Sequence, residues 1–149
     1  MEMKLTKDFS LEEMVESDTA KRMGIKNIPT SNMIEKLRDL CVHCLQPIRD
    51  YFDKPLIVTS GFRSVALNTR VKGSATSQHM RGEAADFKVL HTNLKEVFRY
   101  AQKHLDYDQL IYEFDSWIHI SYNKEGNRKQ TLRAYKKNGV TIYEKVNEI

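Results

Sequence analysis

Two histidines and an aspartate are the residues of this chain whose types and spacing most suggest chemistry. His79 and Asp86 stand seven residues apart, with Gly82 between them. A glycine lets the backbone turn tightly, so we expect a loop histidine and a strand aspartate to point at one spot. His119 alternates with the apolar residues Ile118 and Ile120. In a strand, its side chain would therefore face away from theirs.

Together these three side chains suggest a metal site. Two imidazoles and one carboxylate suit zinc, and three protein ligands leave a fourth position for water, which is the pattern of catalytic zinc. We therefore predict Zn2+ as the cofactor and His79, Asp86 and His119 as its ligands. Spacing alone also permits a simpler interpretation, with hydrogen-bonded or surface histidines and an aspartate that caps a strand end.

A zinc-bound water needs a base, and Glu113 is the residue that the sequence favours. It lies six residues before His119, and an even separation keeps both side chains on one side of an extended ribbon. A turn centred on Ser116 would place the two directly opposite each other. A carboxylate there can take a proton from the water and later deliver it to the leaving amine. The simpler interpretation is an ordinary carboxylate at a strand edge.

Arg63 is the candidate for holding the substrate. It follows a predicted buried strand, in the stretch Ser60-Gly61-Phe62-Arg63-Ser64. A guanidinium there could bind a substrate carboxylate or the oxyanion that develops on the reacting carbonyl. It could equally pair with a nearby acid.

The stretch around His79 also resembles a known zinc-site signature. The pattern S-x-H-x-x-G-x-A-x-D is filled here by Ser77, His79, Gly82, Ala84 and Asp86. It resembles the signature of the D-Ala-D-Ala metallopeptidases, a superfamily that includes D-Ala-D-Ala carboxypeptidases and dipeptidases, phage L-alanyl-D-glutamate endopeptidases and the zinc-bearing signalling domain of Hedgehog. The segments around Arg63 and His119 resemble the same family, so the resemblance covers roughly residues 35–122.

This resemblance implies a fold, a site and a substrate class. It implies zinc on the three predicted ligands, Arg63 at the substrate, and Ser77 as a hydrogen-bonding support near the substrate. The substrates would be peptidoglycan stem peptides, cut by a carboxypeptidase or by an endolysin-type endopeptidase. The chain would be one zinc peptidase-like domain over residues 1–149, with a core at about 31–122 and a basic C-terminal hairpin over 123–149.

One position departs from much of that family. Several branches place a catalytic acid three residues before the last zinc histidine, where this chain has Ser116. The Hedgehog-like branch instead has a glutamate six residues before it, which favours Glu113 and leaves Asp115 as a second candidate. Hedgehog retains such a site, although no peptidase activity is established for it. A zinc-containing module that binds the wall or belongs to a phage particle, without catalysis, is therefore the alternative function.

The elements that must position these residues can be predicted from periodicity and turn signals. Ser10 and Glu13 have the spacing of a capping box, and apolar residues three and four apart over 31–52 indicate a buried helical stripe, kinked by Pro47. The pair Asn138-Gly139 predicts a type I′ hairpin. The predicted helical segments are 10–17, 18–24, 31–52, 64–70 and 92–104. The predicted strands are 55–59, 83–89, 109–113, 117–122, 133–135 and 140–143.

Helices that precede most of the strands predict an α+β fold, a single domain with N-terminal helices packed on a mainly antiparallel sheet. Cys41 and Cys44 lie three positions apart inside the long helix. A second pair of ligands for a structural zinc is not evident, so we expect both thiols to pack in the core. We expect His43, His91 and His104 to be exposed, and Trp117 to be core or pocket wall.

Charge is distributed unevenly along the chain. The net charge of +4 arises from 24 basic and 20 acidic residues, and the excess lies in residues 121–149, with seven basic and three acidic. A basic C-terminal part favours an anionic partner such as a charged wall polymer, or is a solvated strand face. Nucleic-acid binding would rest on this charge alone, so we expect no nucleic-acid partner.

Composition excludes several classes of protein. In 149 residues, 40% are hydrophobic and 30% are charged, which excludes a disordered chain. We expect no membrane span, since no apolar run approaches the ~20 residues that one needs. The acidic N-terminus lacks the apolar core of a signal peptide. We expect synthesis in the cytoplasm, and an enzyme encoded by a phage or prophage and released to the wall would reconcile this with an extracellular substrate. The oligomeric state is left open.

Overall fold

A computed structural model describes residues 2–149. Its helices are α1 (Leu11–Val15), α2 (Asp18–Met23), α3 (Ser31–Leu40), α4 (Gln46–Phe52), α5 (Val65–Arg70) and α6 (Leu94–His104). A π-helical turn (Cys41–Leu45) joins α3 to α4, and a 3-10 turn (Gln78–Arg81) precedes the second strand. The strands are β1 (Leu56–Ser60), β2 (Ala84–Val89), β3 (Gln109–Glu113), β4 (Trp117–Ser121), β5 (Gln130–Lys137) and β6 (Val140–Lys145).

Local signals place the helix ends close to where the sequence predicts them. The capping box forms, since the Ser10 hydroxyl accepts from the Glu13 amide and the Glu13 carboxylate accepts from the Ser10 amide. These bonds satisfy amides that a helix start leaves without partners. Gly24 ends α2 in the left-handed conformation, with φ 65°, as expected of a C-terminal glycine.

The irregularity in the long helical segment lies earlier than predicted. We expected Pro47 to kink or break the helix just before its last turn, but the helix continues through it to Phe52. The chain widens instead into the π-helical turn one turn upstream, where the Gln46 amide donates to the Cys41 carbonyl. A wider turn gives the proline ring room near the preceding carbonyls, so the helix continues through Pro47.

The six strands form one sheet in the order β1-β2-β4-β3-β5-β6. All neighbouring strands are antiparallel except β3 and β5, which are parallel. This confirms the α+β prediction of helices on a mainly antiparallel sheet. The hairpin of β5 and β6 turns at Asn138 and Gly139, which have φ of 52° and 77°. Two positive φ angles are what a type I′ turn requires.

The sheet has two different faces. One packs against the helices and forms the core, which contains the buried residues Leu37, Ile48, Phe87, Phe98, Leu110, Ile118 and Ile120. Cys41 and Cys44 are buried in this core, as predicted, and burial raises the pKa of the Cys41 thiol to about 12. Because side chains alternate along a strand, the opposite face carries Asp86, His119 and Glu113.

Among residues 2–149, no helix has both the length and the apolar character that crossing a bilayer requires. His43, His91 and His104 are exposed, as expected.

Candidate metal centre

His79 is held by a short, capped turn. The Ser77 hydroxyl accepts a hydrogen bond from the His79 amide at 3.2 Å, and the His79 carbonyl accepts from the Arg63 amide at 3.0 Å. Gly82 ends the turn with φ 76°. The imidazole is almost fully buried, with 2% of its residue surface exposed. Ser77 therefore supports the turn, and its contact with substrate stays a prediction.

Gly82 is constrained both by its backbone angle and by its neighbours. A Cβ at this position would lie 2.7 Å from the Met33 carbonyl oxygen, whereas a Cβ at Gly24 would meet nothing within 4 Å. Both glycines have positive φ. We expect Gly24→Ala to lower the free energy of unfolding by about 1 kcal/mol, and Gly82→Ala to lower it by about 3 kcal/mol because the clash adds to the angular cost. Urea unfolding of the two variants measures the difference, and equal losses would contradict the packing argument.

Asp86 and His119 face each other on adjacent strands. They are partners in the register of β2 and β4, and the His119 Nδ1 lies 3.0 Å from the Asp86 Oδ1. The His79 Nε2 lies 3.4 Å from the same oxygen. The sheet and the capped turn thus bring the three predicted ligands together.

The donor set fits a zinc ion. His79 Nδ1 lies 2.7 Å from the Gly61 carbonyl oxygen, so this nitrogen carries the proton and the lone pair of Nε2 points to the cluster. One donor atom from each of the three residues lies within 4.8 Å of the others. Ligand atoms on a tetrahedral zinc stand about 3.4 Å apart, which is close to the two separations measured to the aspartate. His79, Asp86 and His119 could therefore hold the metal without rebuilding the site.

The electrostatics of the cluster favour a charged aspartate between two rings. Burial alone would raise the pKa of Asp86, but the neighbouring His79 and His119 hold it well below its ordinary value. Burial lowers the pKa of His79. Burial acts in the same direction on His119, yet the hydrogen bond and charge of Asp86 raise its pKa. An ionised Asp86 beside a neutral His79 suits metal binding, which also requires the His119 ring to give up its proton.

Glu113 lies beside the cluster, but not where its predicted register placed it. It pairs with Trp117, whereas His119 pairs with Ile111. The prediction that Glu113 and His119 face each other directly is therefore wrong. The connection is a three-residue loop over 114–116 rather than a turn centred on Ser116, and this shifts the pairing by two residues. Both side chains still share one face.

The position of Glu113 suits proton transfer. Its Oε1 lies 3.9 Å from the His119 Nδ1 and accepts a hydrogen bond from the Trp117 Nε1 at 3.0 Å. Trp117 is half-buried and forms a wall beside this carboxylate, as the sequence suggested. Burial and the charge of Asp86 raise the pKa of Glu113. A carboxyl with a raised pKa is better matched to accepting and returning a proton near neutral pH.

Arg63 borders a cleft next to the cluster. A cavity of about 400 Å³ is lined by Arg63, Asp86, Ser60 and the loop before α2. The Arg63 Nε is buried and has no hydrogen-bond partner among residues 2–149. Burial lowers the pKa of the guanidinium, although the charges of Asp86 and Glu113 act to raise it. A buried guanidinium nitrogen without a partner favours binding of an anionic group.

Asp115, the second candidate base, lies outside the cluster. Its carboxylate accepts a hydrogen bond from Arg133 at 2.8 Å and is two-thirds exposed. The Ser116 hydroxyl donates a hydrogen bond to the Phe114 carbonyl at 2.9 Å. Neither side chain is among the groups that surround the three donors.

Asp108 is a residue of this region that sequence reasoning missed. Its carboxylate accepts three hydrogen bonds from Arg128 and one, at 2.7 Å, from the side chain of Gln78, the residue before His79. The Arg128 hydrogen bonds lower the pKa of Asp108 to about 2. It therefore ties the histidine turn to the start of β3. Its position next to a strand gave no signal of this long-range contact.

Comparison with known proteins gives two similarities. A family model described as Peptidase M15 matches residues 7–121. The chain is also similar to the zinc D-Ala-D-Ala carboxypeptidase of Streptomyces albus G, with 56% identity over 34 residues, which are 23% of this chain and 13% of that protein. The first match covers most of the chain, and the second covers only a small part of its relative.

Proposed function

Because this chain belongs to the peptidase M15 family, we propose that it is a zinc-dependent peptidase that hydrolyses peptide bonds of peptidoglycan stem peptides. Zinc is the metal in the name of its Streptomyces relative. The observation that carries the proposal is a carboxylate that lies next to the three clustered donors without being one of them: Glu113 Oε1 lies 3.9 Å from His119 Nδ1. A structural metal site needs no such base.

The proposed roles follow from where the side chains lie. His79, Asp86 and His119 would hold the zinc, which when bound makes water more acidic and polarises a carbonyl oxygen. Glu113 would accept the proton of the attacking water at Oε1 or Oε2 and pass it to the nitrogen of the leaving amine. The Trp117 hydrogen bond keeps that carboxylate turned toward the cluster.

Arg63 would bind the substrate from the cleft side. Its partnerless Nε offers a hydrogen bond to a carboxylate of the peptide or to the oxyanion of the reacting carbonyl. Ser77 would act through the turn that it caps. A carboxypeptidase and an endolysin-type endopeptidase could both use such an anion site. Arg63 therefore does not distinguish the two, and the digestion products identify the bond that is cut. Origin in a phage or prophage, with release to the wall, is part of the same proposal.

Digestion of purified peptidoglycan tests the proposal. The zinc-loaded protein is incubated with wall sacculi and with synthetic stem peptides, and the fragments are identified by mass spectrometry. We expect one new amine and one new carboxylate per cut, and loss of terminal alanine separates a carboxypeptidase from an endopeptidase. Stoichiometric zinc without cleavage of any stem peptide would instead support the alternative, a non-catalytic zinc-containing module.

A further inference from the structure

A row of side chains runs across the open face of the sheet, away from the metal cluster. Glu113 pairs with Ala134 on β5, and Ala134 pairs with Tyr143 on β6. Paired residues on adjacent strands point to the same face. Glu113 and Tyr143 therefore share one face of the sheet, with only the small side chain of Ala134 between them in the register, and Tyr143 is 55% exposed.

The same face carries an apolar floor and two further rings. Ile111, Leu132 and Ala134 form a separate buried cluster, and Phe114 packs on it. The rings of Phe114 and Trp117 lie 5.4 Å apart at their centroids. We call Phe114, Trp117 and Tyr143 the aromatic rim. Phe114 and Tyr143 lie on the β5–β6 side of Glu113, and Trp117 pairs with Glu113 from β4. Arg63 follows β1, on the other side of the cluster.

Lys136 adds a positive charge to this surface. The Lys136 Nζ lies 5.7 Å from the centroid of the Phe114 ring, and in the part of the chain that the structure describes it forms no ion pair. Burial, and then the charges of Glu113 and Asp86, raise the pKa of the Tyr143 phenol.

We propose that the aromatic rim and Lys136 form a second substrate-binding subsite, which takes a peptide segment carrying a free carboxylate on the far side of the cluster from Arg63. This inference rests on the proposed function for its choice of peptide. Charge complementarity argues for the occupant, because an ammonium group without a partner beside exposed rings suits a carboxylate attached to an apolar chain. The face is also continuous with the cluster, so one extended peptide can contact both.

The hairpin thereby gains a role in recognition. Residues 121–149 hold the basic excess of the chain, and Lys136 is the member of that set that lies over the Phe114 ring. Lys137 follows it on the same strand and points to the opposite face. It therefore provides a matched control for the removal of one positive charge.

Binding can be measured without turnover, because the chain has one tryptophan, Trp117, and it belongs to the rim. In a Glu113→Gln background, quenching of its fluorescence by a synthetic stem pentapeptide gives a dissociation constant. The probe is used with its glutamate carboxylate free and with that group amidated. Hydrolysis by proteins that retain Glu113 is followed in parallel.

We expect Lys136→Ala to weaken binding of the free-acid peptide about fivefold and that of the amidated peptide little, whereas Lys137→Ala changes neither. Tyr143→Ala should weaken both about tenfold. Unchanged binding in both Lys136→Ala and Tyr143→Ala, or no binding to the parent protein, would overturn the subsite. Binding that follows the predicted pattern, without hydrolysis by proteins that retain Glu113, would instead overturn only the proposed function.

Discussion

Replacing Glu113 by glutamine is expected to lower kcat for stem-peptide hydrolysis by about 10³-fold, with zinc still bound. The glutamine keeps the size of the side chain and can still accept the Trp117 hydrogen bond, so packing changes little. It cannot take up a proton, and a general base contributes a factor of this order to a hydrolytic reaction. Release of product measured by mass spectrometry, together with zinc content per chain, separates loss of the base from loss of the metal.

Asp115→Asn is the matched control for this variant. Asp115 lies in the same loop region but bonds to Arg133 and is largely exposed. We expect its kcat to stay within about twofold of the parent protein, since exposed ion pairs contribute little. If Asp115→Asn abolished turnover and Glu113→Gln did not, the base would be misassigned.

Replacing His119 by alanine is expected to weaken zinc binding by more than about 100-fold, since even residues that only support the ligands contribute 10–100-fold. Loss of this ring removes one of three donors and leaves the charge of Asp86 with a single histidine partner. Hydrolysis should disappear with the metal. Competition with a zinc chelator measures the affinity.

His104→Ala serves as the control, because His104 is exposed near the end of α6. We also expect zinc to raise the Tm of the parent protein and of His104→Ala, because a ligand that binds only the folded state stabilises it. His119→Ala should show no such rise at the same zinc concentration. Retained affinity in His119→Ala would remove this residue from the ligand set.

The sequence predicted most elements because their signals are local. The strand over 109–113 and the capping box at Ser10 depend on residues that are neighbours along the chain. Alternation along 117–121 was also enough to place His119 on the face opposite Ile118. Such patterns survive in any compact fold that buries one face of the sheet.

The parts that the sequence could not predict depend on register and on distant contacts. Because the β3–β4 connection is a three-residue loop over 114–116 and not a turn centred on Ser116, Glu113 pairs with Trp117 instead of His119. The composition of the loop does not determine which of these two registers forms. The parallel pairing of β3 with β5 brings Ala134 beside Glu113. Tyr143 approaches the site only through this pairing, and so no local pattern marks it as functional.

The central claim is that one zinc ion is held by His79, Asp86 and His119. Diffraction from crystals of the zinc-loaded protein, recorded on both sides of the zinc absorption edge, tests it most directly. We predict one anomalous peak, about 2.1 Å from the His79 Nε2, the His119 Nδ1 and an Asp86 carboxylate oxygen. With zinc in excess, a map without a peak among these three atoms, or with its only peak elsewhere, would contradict the assignment.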